Sequence, residues 1–176
     1  MTAFQSISAN KVVARALQYV GEGYYKLGGG SRPTSASPFD PEGNQFPGFC
    51  DCSGFSSWCM EYRRGPWNTD AVVADARVKR SRFRLVKRDE VVIPSDLVVY
   101  PGPDKDHDGE RDSPGHIGVV VAVGPDFERG KNGWWEHLEI AHCTPRNQLK
   151  VGAIKHSDAS LWAGRGYIIR ALHVAP

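Results

Sequence analysis

The segment Phe49-Cys50-Asp51-Cys52-Ser53-Gly54-Phe55 stands where a loop gives way to an amphipathic helix, and the rest of the reading works outward from it. Behind it, Phe55, Trp58, Cys59 and Tyr62 recur at i, i+3, i+4 and i+7, the spacing of one apolar helix face, and Gly65-Pro66 predicts its end. A cysteine at such a helix start meets the positive end of the helix dipole and N–H groups with no intrahelical partner. Both favour thiolate over thiol, the form a nucleophile needs, and would lower the pKa of Cys52. The same N–H groups are aimed at an oxyanion forming on an attacked carbonyl. Cys52 is the candidate nucleophile.

Upstream, residues 10–20 read as a helix with Asn10 as N-cap and an apolar stripe of Val13, Ala16, Leu17 and Val20 that Gly21 stops. Between the helices, Gly30 to Gly48 is a Ser/Pro/Gly-rich loop insertion. Downstream, Asn68-Thr69-Asp70 opens a weaker helix expected to run from Ala71 to Val78. Then the pattern turns to strand: Asp96–Tyr100, His116–Val123, Leu138–His142 and Tyr167–His173 are short β-branched or aromatic runs bounded by Pro, Gly or Asp. Helices first and strands after, with tight connections, predict an α+β fold with N-terminal helices packed on a mainly antiparallel sheet.

A cysteine nucleophile needs a base. His116 opens its strand directly after Pro114-Gly115, and His142 closes Leu138-Glu139-Ile140-Ala141-His142. With a side-chain period of two, His142 shares the apolar face of Leu138 and Ile140, whereas His137 shares a face with Glu139. Strand ends present side chains from a rigid sheet to the cleft above it, which suits a base and the residue that orients it.

Composition bounds the rest. At 176 residues and 19.4 kDa the chain is expected to be one domain, able to bury roughly 70% of its unfolded surface without staples. A net charge of +2 gives no whole-molecule field for nucleic acid or a membrane. No apolar run reaches the roughly 20 residues of a membrane span, and Met1 to Ser8 shows no signal-peptide pattern. Localisation is left open, and a monomer is expected.

At this point the sequence resembles a family, the NlpC/p-sixty cell-wall cysteine peptidases. Asp51-Cys52-Ser53-Gly54-Phe55 looks like their Asp-Cys-Ser-Gly motif, and Tyr25-Lys26-Leu27-Gly28-Gly29 like the Tyr-x-x-Gly-Gly segment before it. Pro94-Ser95-Asp96-Leu97-Val98 is similar to their Pro-Gly-Asp-Leu-Val strand entry, with Ser95 in place of Gly. Gly115-His116-Ile117-Gly118-Val119 looks like their His-Val-Gly strand, and Ile140-Ala141-His142 like the strand of the third polar residue. Each motif is weak alone; their shared order from about residue 10 to 173 carries the resemblance. It implies a papain-like fold and hydrolysis of amide bonds in peptidoglycan stem peptides, of a γ-D-glutamyl endopeptidase type. It implies Cys52 as nucleophile, His116 as base, His142 as orienting residue and Tyr25 beside the oxyanion. It also implies Asp51 and Ser53 as substrate-binding residues, with Asp51 pairing a free substrate amine. No cofactor or metal is implied. The interval between His116 and His142 is long for the family, with Asp126 to Trp135 as the insertion. Such a chain would reach the wall by a route other than a visible signal, or in a phage. The competing functions are an amidase or acyl transferase on the same scaffold, and a non-catalytic structural module of a phage or secretion apparatus.

Other features have blander readings. Cys59 falls on the apolar helix face and reads as core. A zinc site from Cys50, Cys52, Cys59 and Cys143 or His142 is disfavoured by the Cys-x-Cys spacing. Asp104, Asp106, Asp108 and Gly109 imitate the first half of a calcium loop, but Gly115 stands where the closing Glu belongs. The basic run Lys79 to Arg88 reads as a solvated edge strand before it reads as a grip on an anionic polymer. Trp134-Trp135 is either loop packing or a rim that contacts ligand. His107, His156 and His173 read as surface histidines.

Overall fold

The computed structural model describes residues 6–30, 35–39, 48–62, 67–103, 113–145 and 151–175. Helix-stop Gly65-Pro66, the calcium-like Asp104, Asp106 and Asp108, and parts of the Gly30–Gly48 loop lie outside them. Three helices, α1 (Ala9–Gln18), α2 (Cys52–Cys59) and α3 (Thr69–Ala74), precede most of the strands. A short parallel pair β2 (Tyr24–Tyr25) and β3 (Phe49–Cys50) leads into α2. The main sheet holds six strands in the order β4 (Phe83–Leu85), β9 (Tyr167–Ala171), β5 (Leu97–Tyr100), β6 (His116–Val123), β7 (Leu138–Cys143) and β8 (Ile154–Asp158). Every neighbouring pair in it is antiparallel. Outside the sheet, β1 (Ile7–Ser8) runs parallel to β10 (Val174–Ala175). The α+β class read from the sequence holds.

The sheet is apolar on both faces, by alternation. Leu97, Val99, Ile117, Val119 and Ile169 turn toward the helices and meet Val12, Phe55, Trp58 and Val72. Val98, Val120, Ile140 and Ile168 turn the other way and meet Trp135 and Trp162. Those tryptophans come from two 3-10 turns, Trp134–His137 and Ser160–Trp162. Trp134 and Trp135 stack with ring centroids 3.9 Å apart, so their loop packs on the sheet. All of α2 is buried.

Several expectations shift. Helix α1 is capped by Ser8, not Asn10: the Ser8 side chain accepts from the Lys11 amide. The register moves with it, so Val12 and Ala16 are the buried positions while Leu17 and Val20 are exposed. Helix α2 ends at Cys59, with Tyr62 packed in the core beyond it. The third helix keeps Asn68 as cap but runs on through a π-helical turn, Asp75–Lys79. There the Asp75 carboxylate collects the Ser81 hydroxyl and the amides of Arg82 and Phe83. His173 is no free surface residue, since its ring meets Met60 O at 2.8 Å. Within the basic run, Phe83–Leu85 is indeed an edge strand.

Ser95 sits at φ +84°, in the left-handed region where a side chain is strained. It turns the chain toward β5, just before which Asp96 is fully buried and grips Arg170 with both oxygens, at 2.7 and 2.8 Å. Glycine relieves that strain at some cost in unfolded-chain entropy. Ser95→Gly is therefore expected to raise stability by about 0.5–1 kcal/mol, read as a higher urea midpoint at unchanged slope. A lower midpoint refutes the strain argument.

Candidate active site

Three pieces of chain converge on Cys52. The first is its own helix. Asp51 is the N-cap in extended conformation, and its Oδ1 accepts from the Gly54 amide at 2.7 Å and from Ser53 Oγ at 2.9 Å. The second is the glycine arm after Tyr25. Asp51 Oδ2 accepts from the Gly28 amide at 2.8 Å, and Asp51 N donates to Gly29 O. A Cβ on Gly54 would lie 2.3 Å from Gly29 O, so only glycine lets arm and helix meet this closely. The third is β6, whose Ile117 amide approaches the Cys52 sulfur and favours its thiolate. That places the thiol against the residue after His116.

His116 and His142 stand on one face of the sheet, with Trp162 beside both. His116 stacks on that indole at 5.3 Å between centroids, and His142 meets it edge-on at 5.2 Å. Gly118 makes the room, since a Cβ there would lie 2.5 Å from Ile140 and 3.2 Å from Trp162. His116 Nε2 and His142 Nδ1 are 2.8 Å apart, and His142 Nε2 lies 3.3 Å from Ser157 Oγ. The Ser157 hydroxyl donates to Asp158 O at 2.9 Å, and the protons of the two rings are assigned from that bond. With its hydrogen committed, Ser157 Oγ accepts from His142 Nε2–H. His142 Nδ1 is then an acceptor, and His116 donates to it from Nε2. The tautomer so assigned leaves His116 Nδ1 as the basic nitrogen.

The site is dry. Cys52, His116 and His142 are each 5% exposed. Burial, followed by the negative charge of Asp51, pushes the Cys52 thiol up to about 12, against the lowering by its backbone hydrogen bonds. This corrects the expectation of a thiol with a depressed pKa: the helix start is present, but burial and a carboxylate next in sequence outweigh it. Burial, then His142 and Arg165, pushes His116 down to about 3. The resting pair is neutral thiol and neutral imidazole. Tyr25 is likewise pushed upward, by burial and then by Cys52.

His116 and Tyr25 open on a cleft of about 390 Å³, shared with Leu27, Tyr100 and Gly115. Arg165 lies 3.9 Å over the Tyr100 ring on that side. Beyond Thr144 and Leu161, which line both, a second hollow of about 540 Å³ is lined by His142, Lys155, His156, Ser157 and Asp158. Among the described residues no cluster of His, Cys, Asp and Glu stands ready to hold a metal ion, and no helix is long and apolar enough to cross a membrane. The sequence matches no family model and no curated protein.

The structure thus brings Tyr25, Asp51, Cys52 and Ser53 together on the arm and helix start, and His116 with His142 on the sheet. Ser53 spends its hydroxyl on Asp51. Asp51 is 2% exposed and holds the arm to the helix with both oxygens, so the geometry favours its capping role over contact with a substrate amine. Sequence reasoning missed Ser157, Trp162 and Arg165, because β8 and the turn after it carry no strand-like alternation.

Asp51→Asn removes the charge, and with it the bond that Oδ2 accepts from the Gly28 amide, because an amide NH2 cannot accept. Asparagine is also a good cap, so the helix keeps its start. Removing the carboxylate's charge is expected to lower the Cys52 pKa, and each unit of lowering raises the thiolate fraction about tenfold where the thiol is protonated, with a smaller gain in the rate of alkylation by iodoacetamide. An unchanged pH–rate profile for alkylation of Cys52 would sink this account.

Proposed function

We propose that this chain is a papain-like cysteine hydrolase of the NlpC/p-sixty type, acting on amide bonds in peptidoglycan stem peptides. The observation that carries the reading is Cys52 at a helix start beside Ile117, next in sequence to His116, which meets His142 and through it Ser157. In this mechanism the proton of Cys52 passes to His116 Nδ1 as the sulfur attacks the carbonyl. Either charge formed alone is costly in a buried site. Passing the proton creates thiolate and imidazolium together, so each is the other's counter-ion. His142 accepts from His116 Nε2 throughout and steadies the imidazolium. His116 then returns the proton to the leaving amine, and water cleaves the acyl-enzyme. In this reading helix-start amides, with Tyr25 on the cleft wall, would stabilise the oxyanion.

The stem-peptide substrate rests on the sequence resemblance, and the chemistry on the relay. Digestion of purified muropeptides, with mass analysis of the products, tests both. Cleavage next to D-glutamate supports the endopeptidase reading. Release of the whole stem from the sugar supports an amidase. No product together with a Cys52 that resists alkylation at any pH up to the unfolding limit supports the non-catalytic module.

A further inference from the structure

The relay leaves two buried thiols unused, and they face each other. Cys50 on β3 and Cys143 at the end of β7 have their sulfurs 3.1 Å apart, and Cys143 Sγ also points its hydrogen at Cys50 O, 3.3 Å away. Both are fully buried in the helix-side core, ninety-three positions apart in sequence. Each adjoins a residue of the site: Cys50 precedes Asp51 and Cys52, and Cys143 follows His142. Thiols that merely fill a core need no such meeting, whereas a cross-link needs two sulfurs that the fold itself brings into contact.

We infer that Cys50 and Cys143 are an oxidation site, joined in oxidising surroundings into a disulfide that ties the nucleophile's arm to the strand of His142. The oxidant is a small-molecule disulfide such as oxidised glutathione, or a protein disulfide of the same chemistry. One cysteine thiolate displaces a thiol from it and forms a mixed disulfide; the second cysteine thiolate displaces the other. The pair gives up two protons and two electrons, and the oxidant leaves as two thiols. Burial makes the folded pair hard to reach, so the bond forms while the chain folds, before arm and strand close over it. Cys59 interacts electrostatically with Arg15 and with Cys50, but it is Cys143 whose sulfur meets that of Cys50, and Cys52 keeps its thiol for its own chemistry. Closing so long a loop restricts the unfolded chain, so the oxidised form outlasts the reduced one on heating.

The test uses the whole chain. It is refolded from denaturant in reduced and oxidised glutathione, then alkylated and mapped by mass without reduction. The expected result is a Cys50–Cys143 cross-linked peptide, alkylated Cys52 and Cys59, and an unfolding temperature several degrees above that of the reduced protein. Cys143→Ser should unfold at the same temperature with or without oxidant. If that variant fails to fold, the map of the unaltered chain still decides. Four free thiols after oxidative refolding, or a bond that includes Cys52 or Cys59, overturns the inference. Neither outcome bears on whether the relay hydrolyses stem peptides, which the muropeptide digest reads separately.

Discussion

Cys52→Ala is expected to abolish release of muropeptide fragments, by on the order of 10⁴-fold or more, while circular dichroism and thermal midpoint stay close to those of the unaltered chain. The sulfur is the attacking atom, so nothing in the site can stand in for it. His116→Ala is expected to cost on the order of 10²–10⁴-fold, because general-base transfer is lost while the thiol remains. His142→Ala should cost less, since that ring holds a tautomer and steadies a charge without itself taking the thiol's proton. Ser157→Ala should cost less again, with recovery in Ser157→Thr, which restores an acceptor for His142 Nε2–H. His137, at the end of a 3-10 turn and outside this chain of contacts, serves as the control. Retained cleavage by Cys52→Ala, or equal losses for the His137 and His142 variants, would refute the order of roles.

Acid is the second lever. The folded state holds His116 neutral down to about 3, against an ordinary 6.5. Below 6.5 the unfolded chain takes a proton there that the folded chain refuses, so stability falls as pH drops from about 6.5 toward 3. A group shifted this far is worth a few kcal/mol in total, and much of it is spent before the carboxylates contribute. Glu90, held down to about 2 by Arg84 and the Lys87 amide, loses its stabilising charge only at lower pH. Urea midpoints between pH 7 and 4 should decline steadily for the unaltered chain and much less for His116→Gln. A flat profile over that interval would show that His116 is not held neutral.

Some of this was legible in the sequence for plain reasons. Strand His116–Val123 is read to the residue because an unbroken apolar run lies between Pro114-Gly115 and Gly124. His142 is placed on its apolar face by alternation, and the structure keeps it beside Ile140 and against Trp162. The start of α2 is marked by an N-cap aspartate and by glycines that only close packing requires. What was not legible depends on contacts distant in sequence. Strand β8 is an edge strand of Lys155, His156, Ser157 and Asp158, whose polarity resembles a loop, so Ser157 was invisible until β7 paired with it. Ser8 and Asn10 are both competent caps, and only the pairing of β1 with β10 puts Ser8 at the helix start. The protonation of Cys52 depends on how deeply the arm and β6 enclose it, which no local motif encodes.

The pairing of β1 with β10 has a consequence of another kind. Ile7 lies against Val174 and Ser8 against Ala175, running in the same direction, with the Ile7 amide also bonded to His173 O. Segments from opposite ends of the described chain therefore meet at one place. A short linker from Ala175 back to Ile7 would close the described segment into a ring, and new ends could be opened in a surface turn without parting any strand of the main sheet. The order in which the chain is synthesised is thus separable from the architecture it builds, which makes this scaffold suited to circular permutation.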